Sequence, residues 1–301
     1  MASQRDVRNR IASVKNIQKI TRAMEMVAAA RLRRAEQRIE SLRPYADAIR
    51  KMTRQAAEAA GQVPRLPILA EHESVNKVGL LVVAGDRGLA GAFNSNAVRA
   101  GVAAAREHAG EGHEASLFAS GRRAASSLTF RGFEPVDSFT GFSERPAYAD
   151  ARAIAERLMA AYIDNEVDRV EIFYNGYISP LTQEMRRETL LPLQQATLLQ
   201  DEDEPEDPER DSSEPQALVE YEPEPEEILG RLVPDYVEIS IYRALLESSA
   251  SELGARMTAM RNASENASNL IEDYTLQMNR ARQAEITQEI MEVVAGAEGL
   301  S

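Results

Sequence analysis

The chain has 301 residues, 44% of them hydrophobic and 5% aromatic, with no Trp, no Cys and a formal net charge of −13. That length fits one or two domains built on an aliphatic core, and the absence of Cys excludes disulfides and thiol chemistry and fits a reducing compartment. No run of about 18 apolar residues is available to cross a membrane, and Met1 to Asp6 have no apolar region behind their charges, so they do not read as a secretory signal.

The charge is unevenly placed. Residues 1–60 hold 14 basic and 6 acidic side chains, whereas residues 201–227 hold 14 acidic side chains and one Arg. A basic segment in an acidic protein points either to an acidic partner or to a solvated face.

Residues 1–43 contain no Pro, Gly or aromatic residue. Loops need such residues to turn, so this run predicts one long helix. Val7, Ile11, Val14, Thr21, Met24, Ala28, Ala35, Ile39 and Leu42 recur in steps of 3, 4 or 7, the seam of a coiled coil. A second stripe of Ile17, Ile20 and Val27 widens the apolar face, as a helix touching more than one surface requires. The predicted helix covers about Ser3 to Glu58, roughly 80 Å at 1.5 Å per residue, with a kink or interruption at Pro44.

The middle of the chain alternates strands and helices, which indicates an open α/β sheet. Val78 to Val83 is a continuous apolar run, as in a strand buried on both faces. A glycine-rich turn follows, Gly85-Asp86-Arg87-Gly88-Leu89-Ala90-Gly91, and Asn94 is a candidate cap for the next helix, which ends near His108. Further strands are expected at 115–119, 169–174 and 188–191, and further helices at 121–129 and 147–164. The glycine spacing is GxxGxxG, which is neither the dinucleotide fingerprint nor a phosphate-cradling loop, and the Asp86 carboxylate disfavours a bound phosphate. The turn therefore reads as structural.

No catalytic constellation emerges. His72, His108 and His113 form no HxxxH or HExxH pair, Cys ligands are absent and no GxSxG occurs. No metal site, cofactor or intrinsic active site is expected. Residues 201–216 combine dense acidic charge with Pro, so they cannot bury a core and read as a solvated, disordered insertion.

After Pro234 a second long helix is expected. Its apolar stripe keeps heptad steps from Leu253 to Ala281 and slips in phase before Ile290. At about 60 residues it spans roughly 90 Å, so the economical arrangement is an antiparallel pair with the extra length protruding. Its last turns (Ile290, Met291, Val293, Val294) are apolar with little polar cover, as at a contact site. The expected fold class is α/β: a long antiparallel coiled coil of N- and C-terminal helices plus a central open Rossmann-like domain.

Three stretches carry a resemblance. Arg10-Ile11-Ala12-Ser13-Val14-Lys15-Asn16-Ile17-Gln18-Lys19-Ile20-Thr21-Arg22-Ala23-Met24-Glu25-Met26-Val27-Ala28-Ala29 is similar to the N-terminal helix of the gamma subunit of bacterial F-type ATP synthases. Asp86-Arg87-Gly88-Leu89-Ala90-Gly91-Ala92-Phe93-Asn94 resembles that family's central turn, with Ala90 where many members have Cys. Asn279-Arg280-Ala281-Arg282-Gln283-Ala284-Glu285-Ile286-Thr287-Gln288-Glu289-Ile290 resembles its C-terminal signature.

The resemblance implies the central stalk of a rotary motor, a non-catalytic subunit present in one copy per complex. Its expected partners are the alpha and beta subunits of the catalytic hexamer, the epsilon subunit and the membrane c-ring, and no nucleic acid. Its expected place is the cytoplasmic face of the bacterial plasma membrane, held peripherally within the complex. By the same resemblance, Met24, Arg282, Gln283, Thr287 and Glu289 contact catalytic subunits, and the tip from Ile290 turns in a sleeve of the hexamer. Tyr221 and Glu222 resemble the base loop that meets the membrane ring. The expected organisation is a helix over 1–60, an α/β domain over 75–200, the acidic insertion over 201–216, and the base loop with the C-terminal helix over 217–301. Two other classes remain open on the residues alone. One is a nucleic-acid binder with a coiled-coil arm, which an isoelectric point near 4.9 disfavours. The other is an α/β enzyme with a helical dimerisation arm, which no site motif supports.

Overall fold

A computed structural model describes residues 4–59, 68–69, 72, 74–193 and 224–298. The acidic stretch 201–216 and the ring-contact candidates Tyr221 and Glu222 lie outside the described residues. The elements run α1 (Gln4–Ala59), β1 (Lys77–Val83), α2 (Phe93–Gly110), β2 (Glu114–Ser120), α3 (Arg122–Phe130), β3 (Asp137–Phe139), α4 (Tyr148–Ile163), β4 (Arg169–Tyr177), β5 (Gln183–Leu191) and α5 (Pro225–Glu298). The chain divides into two compact units, one of Met1–Arg31 with Arg256–Ser301 and one of Leu32–Ala255.

The larger unit is built on a five-stranded sheet in the order β3-β2-β1-β4-β5. β1 pairs in parallel with β2 and β4, and β2 with β3, while β5 closes the edge antiparallel to β4. Because strand side chains alternate in direction, the apolar run of β1 feeds two cores. Val78, Leu80 and Val82 pack with Ala97, Val98 and Val102 of α2 and with Ala124 and Leu128 of α3. Leu81 and Val83 pack with Ile154 and Leu158 of α4 and with Val237 and Ile241 of α5. Helices on both faces of a mostly parallel sheet explain why β1 is buried from Val78 onward. Two smaller clusters join the helices within this unit: Ile49 and Ala56 with Leu229, Leu232 and Ile239, and Leu32 and Ala35 with Ala250 and Leu253.

In the smaller unit, α1 and α5 run antiparallel. Gln18 Nε2 donates to Ser268 Oγ at 3.2 Å, and Arg261 Nε donates to Glu25 Oε1 at 2.9 Å. Seven residues forward on one helix match seven back on the other, so both contacts belong to one register. The seam holds Val7, Ile11, Thr21 and Ala28 on α1, and Met260 and Ala267 on α5, all buried.

Several expectations are corrected. Pro44 does not interrupt α1: it lies exposed inside a helix that continues to Ala59. α5 begins at Pro225 and passes through Pro234. Burial of Leu229, Leu232, Val233 and Val237 offsets the single backbone bond that a proline removes. β3 went unread in the sequence because three residues are too few to show a period. β5 starts at Gln183, several residues before the expected strand, because its first half is a polar edge half-exposed to solvent.

Candidate functional site

In a doubly wound sheet, ligands bind beyond the carboxyl ends of the strands, where the strand order reverses. Here β1 lies at that point, between β2 and β4, and its glycine-rich turn faces the crevice. The protein's own acids fill it. Asp86 accepts hydrogen bonds from the backbone N–H groups of Arg122 at 3.0 Å, Gly141 at 2.9 Å and Ser143 at 3.1 Å. Arg122 is the first residue of α3, so Asp86 occupies the position where a helix N-terminus attracts a phosphate. Burial alone raises the Asp86 pKa, but these backbone donors outweigh it and hold the carboxyl below its ordinary value of 3.8.

Glu252 of α5, 1% exposed, brings its carboxylate against the same turn at Gly85. A Cβ added at Gly85 would meet its carboxylate at 2.7 Å, so only glycine allows that approach. Asn94 does not cap α2, which starts at Phe93 with Ala92 before it. Its side chain instead ties the turn to itself, accepting from Gly85 N at 2.8 Å and donating to the Arg87 carbonyl at 3.0 Å. The turn closes on its own backbone, as the structural reading of its glycines required, and leaves the phosphate position taken.

Nearby polar groups of this unit are likewise paired internally. Tyr174 donates to Glu188 at 2.5 Å, Arg243 donates to the same carboxylate at 2.7 Å, and Arg186 donates to Glu247 at 3.2 Å. Tyr177 donates to Glu36. His72 sits 3.0 Å from Asp168. The other two histidines converge with Glu111 at the end of α2, an arrangement that a search for within-helix pairs misses because it straddles the helix terminus.

The helical ends present the opposite surface. Met24 is half-buried, whereas Arg282, Gln283, Thr287 and Glu289 are all exposed. Thr287 Oγ1 donates to the Gln283 carbonyl at 2.9 Å, a bond within the helix that leaves the rest of the face open. Extending the antiparallel register brings Arg282 opposite Gln4, the first residue of α1. The stretch from Gln283 to Glu298 therefore runs past α1 by about 24 Å. Its apolar residues Ile290, Met291, Val293 and Val294 are 58%, 64%, 73% and 48% exposed. The second stripe of α1 is also open, with Ile17, Ile20 and Val27 each more than half exposed. Groups of this kind on paired helices mark an interaction surface rather than a core.

Paired terminal helices with open apolar faces, and an α/β body whose strand-end crevice is occupied by its own side chains, define an interaction subunit. A family model described as ATP synthase matches residues 3–300. The chain is 42% identical over 300 residues to the ATP synthase gamma chain of Moorella thermoacetica, covering 100% of both chains. Among solved structures it is similar to a chain of the Tetrahymena thermophila mitochondrial ATP synthase central stalk and c-ring, at 27% identity and a TM-score of 0.59, covering 81% of this chain and 99% of that one. It shares its fold with a chain of the Euglena gracilis mitochondrial ATP synthase, at 19% identity and a TM-score of 0.68, covering 99% of this chain and 94% of that one. The chain belongs to the family of ATP synthase gamma chains, the central-stalk subunits of F-type ATP synthases. Among the described residues, no helix is long and apolar enough to cross a membrane.

Proposed function

We propose that the chain is the rotor of a proton-translocating ATP synthase, one copy per complex, held at the cytoplasmic face of a bacterial plasma membrane. In this reading the α1–α5 pair turns within the alpha and beta subunits of the catalytic hexamer, and the α/β body serves the c-ring and epsilon subunit. Tyr221 and Glu222 meet the ring, and the acidic stretch 201–215 modulates rotation or epsilon docking. The chain supplies no reacting group. It couples by differential binding: each rotor angle stabilises one conformation of a catalytic site over the others.

The observation that carries this reading is the open surface of the helical ends. A shaft inside a ring of several subunits must offer apolar contact on more than the side its own partner helix covers. The exposed stripe of Ile17, Ile20 and Val27 supports that role. Arg282, Gln283, Thr287 and Glu289 are polar groups one to two turns apart on exposed helix, suited to hydrogen-bonding a loop of a catalytic subunit, with Met24 on the half-buried flank of α1. Ile290, Met291, Val293 and Val294 suit an apolar sleeve.

Reconstitution with alpha and beta subunits tests it. The full chain is expected to assemble at about one copy per three alpha–beta pairs and to support ATP turnover. A chain truncated before Arg280 keeps the α/β body, and its complex is expected to lose at least about tenfold in coupled turnover, or about 1.4 kcal/mol of transition-state coupling. Full turnover from the truncated chain would remove the C-terminal signature from the mechanism. Failure of the full chain to assemble would remove the rotor reading itself.

A further inference from the structure

The end of α2 closes on a Schellman turn. Gly112, at φ +89°, turns the chain back; its N–H donates to the Ala109 carbonyl at 3.2 Å, and the His113 N–H donates to the His108 carbonyl at 2.9 Å. This motif usually brings together two apolar side chains, one in the last helical turn and one just past the glycine. Here both positions are histidine. His108 Nδ1 lies 3.3 Å from Glu111 Oε2, and His113 Nδ1 lies 3.5 Å from the same oxygen. One ligand atom from each of the three residues lies within 4.8 Å of the other two. Neither Nδ1 makes a hydrogen bond, although both atoms are buried and His108 as a whole is only 3% exposed. A buried imidazole nitrogen without a partner is costly, which marks a group arranged for something other than packing.

We propose that His108 Nδ1, His113 Nδ1 and Glu111 Oε2 form a three-ligand site for a divalent transition metal of the zinc class. Two imidazoles and a carboxylate are a donor set that zinc takes, with a fourth position left to water. Ligands about 2.0–2.1 Å from a tetrahedral ion lie about 3.3 Å from one another, and the two Nδ1–Oε2 separations already approach that edge. The opposite nitrogen of His108 is positioned as well. Its Nε2 lies 3.4 Å from Glu171 Oε1, a carboxylate that is itself buried, and 3.2 Å from Arg187 Nη2. A guanidinium only donates, so contact with Arg187 favours a proton on Nδ1, whereas contact with Glu171 favours a proton on Nε2. Metal at Nδ1 selects the second tautomer and completes a carboxylate–histidine–metal chain. Arg187 remains held by Glu171 at 2.9 Å and by Glu107 at 3.0 Å.

The electrostatics agree. Glu107, Glu111 and Glu171 outnumber the Arg187 guanidinium, and the carboxyl end of a helix favours a cation. Glu111 and His113 are 53% and 28% exposed at their side chains, which gives the ion a path from solvent. An ion here clips the end of α2 to the start of β2 without taking part in rotation or catalysis.

The untagged full-length chain, stripped with a chelator, is titrated with zinc by calorimetry and with cobalt by visible absorption. We expect one equivalent of zinc with a dissociation constant of about 1 μM or below, and cobalt bands of a low-symmetry four-coordinate site. His113→Ala and Glu111→Gln, both on the accessible side, are each expected to weaken binding at least tenfold while far-UV circular dichroism stays unchanged. Absence of stoichiometric binding by the wild-type chain, or affinity undiminished in both variants, would overturn the site.

Discussion

The two units of this chain treat exposed surface in opposite ways. In the α/β unit, β1 is buried on both faces, and the crevice where such folds bind ligands is closed by Asp86, Glu252 and Asn94. In the helical unit, Ile17, Ile20 and Val27 lie open on α1, and α5 runs past the start of α1 with Ile290, Met291, Val293 and Val294 uncovered. A sheet buried by helices on both faces can satisfy itself. A two-helix pair cannot, because each helix hides only the stripe that meets its partner. The contrast separates stability from binding: substitutions in the buried sheet core are felt by the isolated chain, and substitutions on the open faces of the helices only once partners are present.

The comparison can be broken first at Leu81, which is 0% exposed in the centre of β1. Leu81→Ala is expected to destabilise the isolated chain by about 2–5 kcal/mol in chemical denaturation, from lost transfer energy plus the cavity left behind. A loss below 1 kcal/mol would mean that the sheet core is not the stable centre described.

Asp86→Asn is expected to cost about 1–3 kcal/mol, because three backbone donors lose their charged acceptor and one meets an amide that cannot accept. The sign of the pH dependence follows from the lowered folded-state pKa. The Asp86 contribution is fully present above the ordinary carboxylate value of 3.8 and is lost as pH falls through the lower folded-state value. The stability gap between wild type and Asp86→Asn should therefore be constant from pH 7 to about pH 5 and shrink in more acidic solution. A gap that instead grows with acid would reverse the assignment.

Ile20→Ala sharpens the other side. Ile20 is 59% exposed, so its truncation should change the stability of the isolated chain by no more than about 0.5 kcal/mol. In reconstitution with alpha and beta subunits, the same substitution should weaken assembly measurably. Equal behaviour of wild type and variant in assembly would leave the exposed stripe without a partner.

Much of this architecture was legible in the sequence. The heptad steps at Val7, Ile11, Thr21 and Ala28 read correctly as a buried seam, and Ile17, Ile20 and Val27 as a second face, because helical periodicity is a local property. The apolar run before Gly85 read correctly as a strand buried on both sides, and the missing phosphate-loop pattern as a structural turn. The prolines mislead because helix propensity takes no account of packing. A helix tolerates Pro44 where the ring faces solvent, and Pro234 where surrounding leucines and valines are buried. Asn94 misled because a capping residue and a side chain that laces a turn look alike in one dimension.

The sequence by itself determined the two long helices, the order of strands and helices between them apart from the three-residue β3, and the family to which the chain belongs, since each rests on neighbours along the chain. Only the tertiary structure decided the antiparallel register that leaves α5 beyond the start of α1 and the antiparallel edge formed by β5. It alone brought Glu252 to Gly85 across 167 positions of sequence, and it aimed two histidine nitrogens at the oxygen of Glu111. These features are distances between atoms that local pattern does not encode, and folding sets them through the packing of one element against another.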